Sequence, residues 1–334
     1  MRRLYPVAPA PQALHQPEGH RPHGPAAAPG PAAPTQGGYG ADDSGAGMEL
    51  PGWGVPAPLA PPAETGIPPE AGTPREELGA PEALDTLDGL AAAYSYPVHL
   101  LPAPDRPWLR ANMVSSLDGA AHHEAHSAPL SSDADMRLFG VLRGLADAIL
   151  VGAQTVRQEG YRPAKAREAF AERRAAAGQA PAPAIAVVSA SLNLDFDAPL
   201  FTEPATPTIL ITGAGAPRPA MERARAAGAV LLVAGTGQRV DLAEAVRHLG
   251  ALGHRRLLTE GGPHLLGQLV AADLLDELCL TVSPTLTAGR ADRITVARSA
   301  LTLPHRMRLL SLLEEDGFLF SRYVRAAAPA PRDG

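Results

Sequence analysis

The stretch LLTEGGP at residues 257–263 joins a strand-like apolar run to a helix-like stretch, residues 264–271. Two glycines at such a junction let the backbone come close to a ligand, because no Cβ holds it away. The first peptide N–H groups of the helix, together with its dipole, favour a bound phosphate. Glu260 would then place an acid beside that phosphate. The stretch therefore predicts a dinucleotide-binding strand end, with Gly261 and Gly262 as its backbone approach, rather than a purely structural turn.

The same alternation of apolar runs and amphipathic stretches continues over most of the chain. It predicts strands at 109–114, 148–151, 185–188, 208–211, 230–233, 256–259, 277–282, 307–314 and 318–324. It predicts helices at 133–145, 164–177, 217–227, 241–252 and 264–271. Ser132 and Asp135 have the spacing of a capping box at the start of the first of these helices. The pattern indicates an α/β fold with a mostly parallel central sheet covered on both faces, and an antiparallel edge formed by the last two strands.

The N-terminal segment, residues 1–81, differs in composition from the rest. More than half of the 36 prolines precede residue 100, and alanine and glycine fill much of the remainder. Such a segment cannot bury enough apolar surface to offset its ordering entropy, so a disordered tail is predicted. A Pro-rich docking ligand is the alternative, although no regular PxxP repeat is present. One domain is predicted over residues 82–328, followed by a flexible C-terminus at 329–334.

Charge and cysteine content exclude several classes of protein. The net charge is −6 and no basic run is present, which argues against a nucleic-acid partner. No stretch reaches the roughly 18 apolar residues of a membrane span, and prolines replace the apolar core of a signal peptide, so a cytoplasmic location is predicted. The single Cys279 cannot form a disulfide framework. Histidines between 122 and 126 could suggest a metal, but HExxH is absent, so no metal site is predicted.

Several candidate residues share one position in the predicted sheet, because each falls at the carboxyl end of a strand. They are Gly152, Ser189, Thr212 and Glu260. Open α/β sheets bind ligands beyond those strand ends, so these residues are predicted to meet at one site. Two further candidates have plain alternatives: Thr155 could simply begin a helix, and Asp118 before Gly119 could simply form a turn.

Five motifs in order carry a resemblance to a known family. They are NMVSSLDG at 112–119, LRGLADAILVGAQTVRQEGY at 142–161, TEGGP at 259–263, DELCLTVSP at 276–284 and FSRY at 320–323. Over residues 82–326 the chain resembles the RibD C-terminal family, the pyrimidine reductases of riboflavin biosynthesis, and more closely the stand-alone actinobacterial type. The resemblance implies a dihydrofolate-reductase-like fold. It also implies NADPH as cofactor, and reduction of a ribosylaminopyrimidine phosphate at C1′ of the ring-opened ribose.

The same resemblance implies roles for individual residues. Gly152 and Thr155 would line the cofactor phosphates with Gly261 and Gly262, whereas Ser189 and Thr212 would hold the adenosine end. The implied catalytic residues, which face substrate, are Asn112, Glu159 and Glu260. Asn112 would hydrogen-bond the substrate, Glu260 would contact the ribose or relay a proton, and Glu159 replaces an aspartate of bifunctional relatives within a different turn.

Three more residues are candidates for substrate contact. Arg143 and Arg162 could supply the bidentate cation that a phosphate prefers. Asp118 could bind substrate or hold its own loop. Family members are commonly dimers, so a homodimer is expected, and the leucines of the late strands could form its interface or belong to the core.

Two alternatives to pyrimidine reduction stay open. The altered turn at 159–161 could mark a pterin-like or folate substrate, and the long N-terminal segment could mark a non-catalytic, NADPH-binding interaction protein. The zinc deaminase of bifunctional relatives needs HxE and PCxxC motifs, which one cysteine cannot supply. A reductase without deaminase activity is therefore predicted.

Overall fold

The structure, a computed structural model, describes residues 1–5, 84, 86–97, 106–297, 301 and 304–326. Its strands are β1 (Arg2–Tyr5), β2 (Trp108–Ser115), β3 (Ala148–Gly152), β4 (Ala184–Val188), β5 (Ile209–Thr212), β6 (Val230–Val233), β7 (Arg256–Thr259), β8 (Glu277–Val282), β9 (Met307–Glu315) and β10 (Phe318–Arg325). Its helices are α1 (Leu87–Ala93), α2 (Asp133–Leu145), α3 (Ala153–Gln158), α4 (Glu168–Ala176), α5 (Pro199–Thr202), α6 (Arg218–Ala226), α7 (Leu242–Ala251) and α8 (Pro263–Ala271). A short 3₁₀ helix spans Ala128–Leu130.

All the strands belong to one sheet of ten, in the order β1-β9-β10-β8-β2-β7-β3-β4-β5-β6. The strands from β8 to β6 in that order pair in parallel. The other three pair antiparallel, β10 with β8 and β9, and β1 with β9. Helices lie between all consecutive strands from β2 to β8 along the chain, whereas β9 and β10 join through a tight turn at Asp316 and Gly317. The predicted α/β fold class, a mostly parallel sheet with an antiparallel edge, is confirmed.

Apolar side chains cover the two faces of the sheet alternately. In β3, Ile149 and Val151 pack into one cluster, while Ala148 and Leu150 pack into the other. Helices α1, α2, α4 and α6 contribute to the first cluster, and helices α7 and α8 to the second. Because both faces are covered, β3 reads as a continuous apolar run instead of alternating, as parallel strands do. This three-layer packing holds the strand ends at a common edge.

The predicted elements agree with the structure except in a few places. Helix α2 spans the predicted residues, and Ser132 caps it by accepting a hydrogen bond from the Asp135 N–H at 3.2 Å. Helix α4 begins at Glu168 instead of residue 164. The prediction of a disordered tail over residues 1–81 is corrected for Arg2–Tyr5, which pair with β9 because that strand offers an open edge. Residues 6–81 and 329–334 lie outside the described residues.

Candidate active site

A cavity of about 640 Å³ opens at the carboxyl ends of the parallel strands. Its volume lies within the range usual for small-molecule sites, about 300–1,000 Å³. Eight of the predicted site residues line it: Asn112, Gly152, Thr155, Glu159, Ser189, Glu260, Gly261 and Gly262. The wall also contains residues that the sequence analysis did not propose for the site, among them Asp135, Phe139, Tyr161 and His264.

The sheet order places the lining residues in a row along this edge. Ser189 follows β4, Gly152 ends β3, Glu260 follows β7 and Asn112 lies within β2. These strands are neighbours in the order β4-β3-β7-β2. Asp135 extends the row to β8, since Thr281 of that strand donates a hydrogen bond to its Oδ1 at 2.7 Å. The cavity therefore has a glycine-rich end over β3 and β4 and an amide- and acid-lined end over β2 and β8.

The two glycines of the opening motif give the backbone its course beside the cavity. Gly261 has φ of +116°, in a region that residues with a Cβ rarely adopt, and its peptide bond to Gly262 is cis. Gly262 caps α8, and a Cβ added there would lie 3.0 Å from the Thr155 hydroxyl oxygen. A side chain at Gly262 would thus fill the space between the loops after β7 and β3. The two segments predicted to approach the cofactor are in contact with each other.

The Glu260 carboxylate is held by an arginine and a tyrosine. Arg143 donates from Nε and Nη2 to the two carboxylate oxygens, at 2.6 Å each, and the Tyr161 hydroxyl donates to one of them. The Glu260 side chain is only 2% exposed, whereas that of Arg143 is 25% exposed. Burial and the charge of Glu260 raise the pKa of Tyr161 well above its ordinary value, so the phenol stays protonated. We call these three residues the cavity ion cluster.

Arg143 has protein partners in this cluster. Its guanidinium forms a bidentate pair with Glu260 and packs 4.5 Å from the centre of the Phe139 ring, and its contact with the substrate phosphate stays a prediction. Although burial by itself would lower the pKa of Arg143, its contacts with Glu260 raise it. Tyr161 is the last residue of the motif at 142–161 and was not predicted as a site residue. Its position two residues after Glu159 offered no pattern that pointed to Glu260.

Asn112 presents an unsatisfied polar atom at the cavity wall. Its residue is 9% exposed, and its side-chain oxygen Oδ1 has no hydrogen-bond partner within the described part of the chain. A buried acceptor without a partner costs about 1–3 kcal/mol. Because Asn112 lines the cavity, a ligand group with an N–H or O–H could remove that cost. Its position is consistent with the substrate contact implied by the family resemblance.

Two predicted cofactor residues from neighbouring strands have different positions. Ser189 lines the cavity, and its hydroxyl accepts a hydrogen bond from the Leu192 N–H at 3.0 Å. Thr212 is fully buried, and its hydroxyl donates to the Ala190 carbonyl at 3.4 Å. Thr212 is not among the residues that line the cavity in the described chain, and its contact with cofactor stays a prediction. The strand that carries it, β5, lies one position farther from the cavity than β4.

Asp118 and Arg162 also lie away from the cavity lining of the described residues. Asp118 accepts hydrogen bonds from the Ser116 hydroxyl at 2.5 Å and from the Ala288 N–H at 2.7 Å, so it ties two loops together. This geometry favours the loop role over substrate contact. Arg162 is exposed and is not among the lining residues, and its role as a phosphate ligand stays a prediction.

The loop after β2 carries histidines that pair with acids at the rim. His126 Nδ1 lies 3.8 Å from the carboxylate of Glu159, and His122 Nε2 lies 3.8 Å from that of Asp292. Glu159 is 36% exposed, so it lies at the cavity rim rather than in its interior. Within the described ranges, no group of three or more His, Cys, Asp or Glu side chains could hold a metal ion. In the same part of the chain, no helix is both long and apolar enough to cross a membrane.

Comparisons with known proteins give a family and a fold. The model of the RibD C-terminal domain family matches residues 107–314. The 2,5-diamino-6-ribosylamino-4(3H)-pyrimidinone 5′-phosphate reductase of Archaeoglobus fulgidus is 31% identical over 55% of this chain and 84% of the relative. The protein of the same name from Methanothermobacter thermautotrophicus is 29% identical over 57% of this chain and 84% of its own.

Solved structures agree with these relatives. A pyrimidine reductase-like protein from Corynebacterium diphtheriae is similar with a TM-score of 0.62 and 27% identity, over 72% of this chain and 99% of that one. RibD from Acinetobacter baumannii is similar with a TM-score of 0.54 and 19% identity, over 66% and 58% of the two chains. At that lower identity the likeness concerns the fold alone.

Proposed function

Because the chain belongs to the RibD C-terminal domain family, we propose that it is an NADPH-dependent reductase of a ribosylaminopyrimidine 5′-phosphate in riboflavin biosynthesis. The observation that carries the proposal is the row of residues along one sheet edge. Its glycine-rich end suits a dinucleotide, and its other end offers Asn112 and buried acid to a polar ring. The ribityl product would result from reduction of C1′ of the ring-opened ribose.

The residues present fit the cofactor. Gly152 and Thr155 would lie against the cofactor phosphates, with Gly261 and Gly262 approaching from the loop after β7 and Ser189 towards the adenosine end. The space beside Gly262, which a Cβ would fill, supports a close backbone approach. NADPH, when bound, supplies the hydride for the reaction. The protein's contribution is to hold both reactants in a geometry that favours transfer.

The cavity ion cluster favours an orienting role for Glu260. The Oε1 atom of Glu260 accepts only the Arg143 Nε–H, whereas Oε2 accepts from both Arg143 and Tyr161. The second lone pair of Oε1 can therefore accept a hydrogen bond from a ribose hydroxyl while Arg143 and Tyr161 hold the carboxylate in place. The bidentate pairing restricts the rotation of the Glu260 carboxylate. Asn112, on the next strand, would bind the substrate through its free oxygen.

A substrate-screened oxidation assay tests the proposal. Purified protein is mixed with NADPH and, in separate reactions, with the 2-amino and 2-oxo forms of the ribosylaminopyrimidine phosphate and with dihydrofolate. We expect NADPH oxidation with a pyrimidine, ribityl product by mass spectrometry, and slower turnover with NADH. The Asn112→Ala variant should bind NADPH normally and lose on the order of 10-fold or more in kcat/KM, because one substrate hydrogen bond is removed.

Each alternative has its own outcome in the same assay. Turnover of dihydrofolate but of neither pyrimidine would favour a pterin-type reductase, which the altered turn at 159–161 suggested. NADPH binding without turnover of any substrate would favour an interaction protein. Either result would overturn the proposed reaction.

We also propose a homodimer formed through the outer face of β9 and β10. Leu309, Leu310 and Leu312 are partly exposed in the described chain, whereas Leu313 is 1% exposed and belongs to the core. Light scattering on the eluted protein should give twice the mass of one chain, and a monomeric mass would contradict this. The cytoplasmic location and the lack of nucleic-acid or membrane partners stay predictions from the sequence.

A further inference from the structure

Asp135 is a buried acid at the cavity wall that the proposed reaction does not yet use. Four acidic side chains line the cavity: Asp135, Glu159, Glu260 and Asp292. Glu260 pairs with Arg143, and the other two lie at the rim beside histidines. Asp135 is 7% exposed, and no cation of the described residues forms an ion pair with it. Its charge is thus available to a ligand.

The contacts of Asp135 hold its carboxylate in a defined position without neutralising it. The Ser131 hydroxyl donates to Oδ2 at 2.6 Å, and the Thr281 hydroxyl donates to Oδ1 at 2.7 Å. Asp135 lies in the first turn of α2, whose N-terminal end carries the positive end of the helix dipole. Two hydroxyl donors leave lone pairs free on both oxygens. The carboxylate can therefore accept two further hydrogen bonds side by side.

The place of Asp135 in the row identifies which part of a substrate it meets. It lies over β8, next to Asn112 on β2, whereas the predicted cofactor residues lie over β3 and β4. Asn112 contributes a second, independent sign of a ligand, because its buried Oδ1 lacks a partner among the described residues. Since Glu260 stands between the two ends, the substrate ring would lie on the Asp135 side and the ribose near Glu260.

We propose that Asp135 binds the 2-amino and N3–H groups of a 2-amino-4-oxopyrimidine and selects this ring over its 2-oxo counterpart. This inference rests on the proposed function. The two N–H groups of the 2-amino ring point in the same direction and match the two oxygens of a carboxylate. In the 2-oxo ring one of those donors is replaced by an oxygen, which would face a carboxylate oxygen. Reduction by this enzyme would then precede hydrolytic removal of the 2-amino group.

The test compares both rings with the parent protein and the Asp135→Asn variant. The parent should prefer the 2-amino substrate by on the order of 100-fold or more in kcat/KM, because the 2-oxo ring leaves buried polar groups mismatched. Asparagine offers one acceptor and one donor, which matches the N3–H and 2-oxygen of the deaminated ring. The variant should lose activity on the 2-amino substrate and shift its preference towards the 2-oxo substrate, by about 10-fold or more in the ratio.

A neighbouring variant separates recognition from helix stability. Asp133→Asn removes a charge from the same first turn of α2, but Asp133 is exposed and outside the cavity lining of the described chain. It should keep the parent's substrate ratio. NADPH binding, followed by fluorescence quenching, should be unchanged in both variants and shows that each is folded.

The outcomes distinguish this inference from the proposed function. If the parent protein reduces neither pyrimidine, the proposed function fails. If it reduces both rings equally, or if Asp135→Asn leaves the substrate ratio unchanged, the role of Asp135 is overturned while the reductase remains. A change of ratio in Asp133→Asn as large as in Asp135→Asn would also overturn it.

Discussion

Glu277 and Glu260 both bind arginines through buried carboxylates, and their surroundings differ. Glu277 accepts hydrogen bonds from Arg110, Arg322 and the indole of Trp108. Within the described chain, Glu277 is not among the residues that line the cavity. We call Arg110, Glu277 and Arg322 the core ion cluster. In the cavity ion cluster, Glu260 is held by one arginine and one phenol, and the residue lines the cavity.

The surplus charge of the core ion cluster is satisfied by the protein itself. It contains two cations and one anion, and α1 ends against it. Arg322 donates to the Ala93 carbonyl and, at 3.1 Å, to the Ser95 carbonyl. These groups lie at the negative end of the helix dipole. Arg110 also stacks 3.9 Å from the centre of the Tyr96 ring. The core cluster therefore joins strands to α1.

The comparison shows that position, more than chemistry, separates structure from function. The core ion cluster lies within strands β2, β8 and β10, and its carboxylate is not among the cavity-lining residues of the described chain. The cavity ion cluster follows the end of β7, where one side of Glu260 meets the cavity. We expect loss of the first carboxylate to reduce mainly stability, and loss of the second to reduce mainly turnover.

The largest expected effect is that of Glu277→Gln. It leaves Arg110 and Arg322 buried without a counter-ion, and breaking such a pair costs about 3–5 kcal/mol. Urea unfolding should show that loss, whereas kcat of the remaining folded protein should be near that of the parent. Asp273→Asn is the matched control, since it breaks an ion pair of β10 with a carboxylate that is 67% exposed and should cost under about 1 kcal/mol. Equal losses in the two variants would contradict the comparison.

Acid unfolding offers a second measurement on Glu277. Burial by itself would raise the pKa of this carboxyl, but Arg110 and Arg322 lower it to about 2. A lowered folded pKa gives stability that is present above the unfolded value of 4.5 and is lost as the pH falls towards 2. The Gln variant should lack this contribution, so its stability should change less over that pH range.

Glu260→Gln is expected to have a smaller effect on stability and a larger one on turnover. Arg143 keeps 25% of its side chain exposed, so water can compensate in part, and we expect a loss of about 2 kcal/mol. We expect kcat to fall by about 100-fold or more, because the oriented negative charge beside the ribose is lost. Tyr161→Phe removes only one hydrogen bond to Glu260 and should reduce kcat less. An unchanged kcat in Glu260→Gln would show that the cavity ion cluster, like the core ion cluster, has only a structural role.

The smallest effect concerns Asp118, an exposed carboxylate held without any arginine. The Ser116 hydroxyl and the N–H groups of Ala288 and Thr287 lower its pKa to about 2. Its contribution to stability is thus present above pH 3.8 and is lost as the pH falls towards 2. A carboxyl-carbon NMR titration should show this value, and Ser116→Ala should raise it towards 3.8. An unchanged pKa in that variant would show that the backbone groups suffice.

Much of the fold was predictable because local patterns and the fold agree. Strands β6, β7 and β8 occupy the predicted residues, and Ser132 caps α2 as its spacing indicated. Charged residues inside strands were harder to interpret. Arg110 is fully buried within β2, and its partner Glu277 is 167 positions away in the sequence, so no local pattern joins them.

The candidate site was predictable at glycines and strand ends, and less so at its charges. Gly261 and Gly262 indicated a close approach, since Gly261 has a φ that favours glycine and a Cβ at Gly262 would lie 3.0 Å from the Thr155 hydroxyl oxygen. The spacing of Ser132 and Asp135 indicated a helix cap, and the cap is present. However, the Asp135 carboxylate accepts hydrogen bonds from Ser131 and Thr281 at the cavity wall. The local motif predicted the hydrogen bond of the Asp135 backbone N–H, but it did not predict the contacts of the Asp135 side chain.

The sequence by itself determined the α/β class, the strand ends that meet at one edge and the family, because periodicity, turn residues and motifs are local properties. Only the tertiary structure decided which charges are paired. It placed Arg143 on Glu260 across 117 positions and left Asp135 without a cation among the described residues. The physical reason is that electrostatic interactions depend on distance in space and on burial, and the order of strands in the sheet sets both.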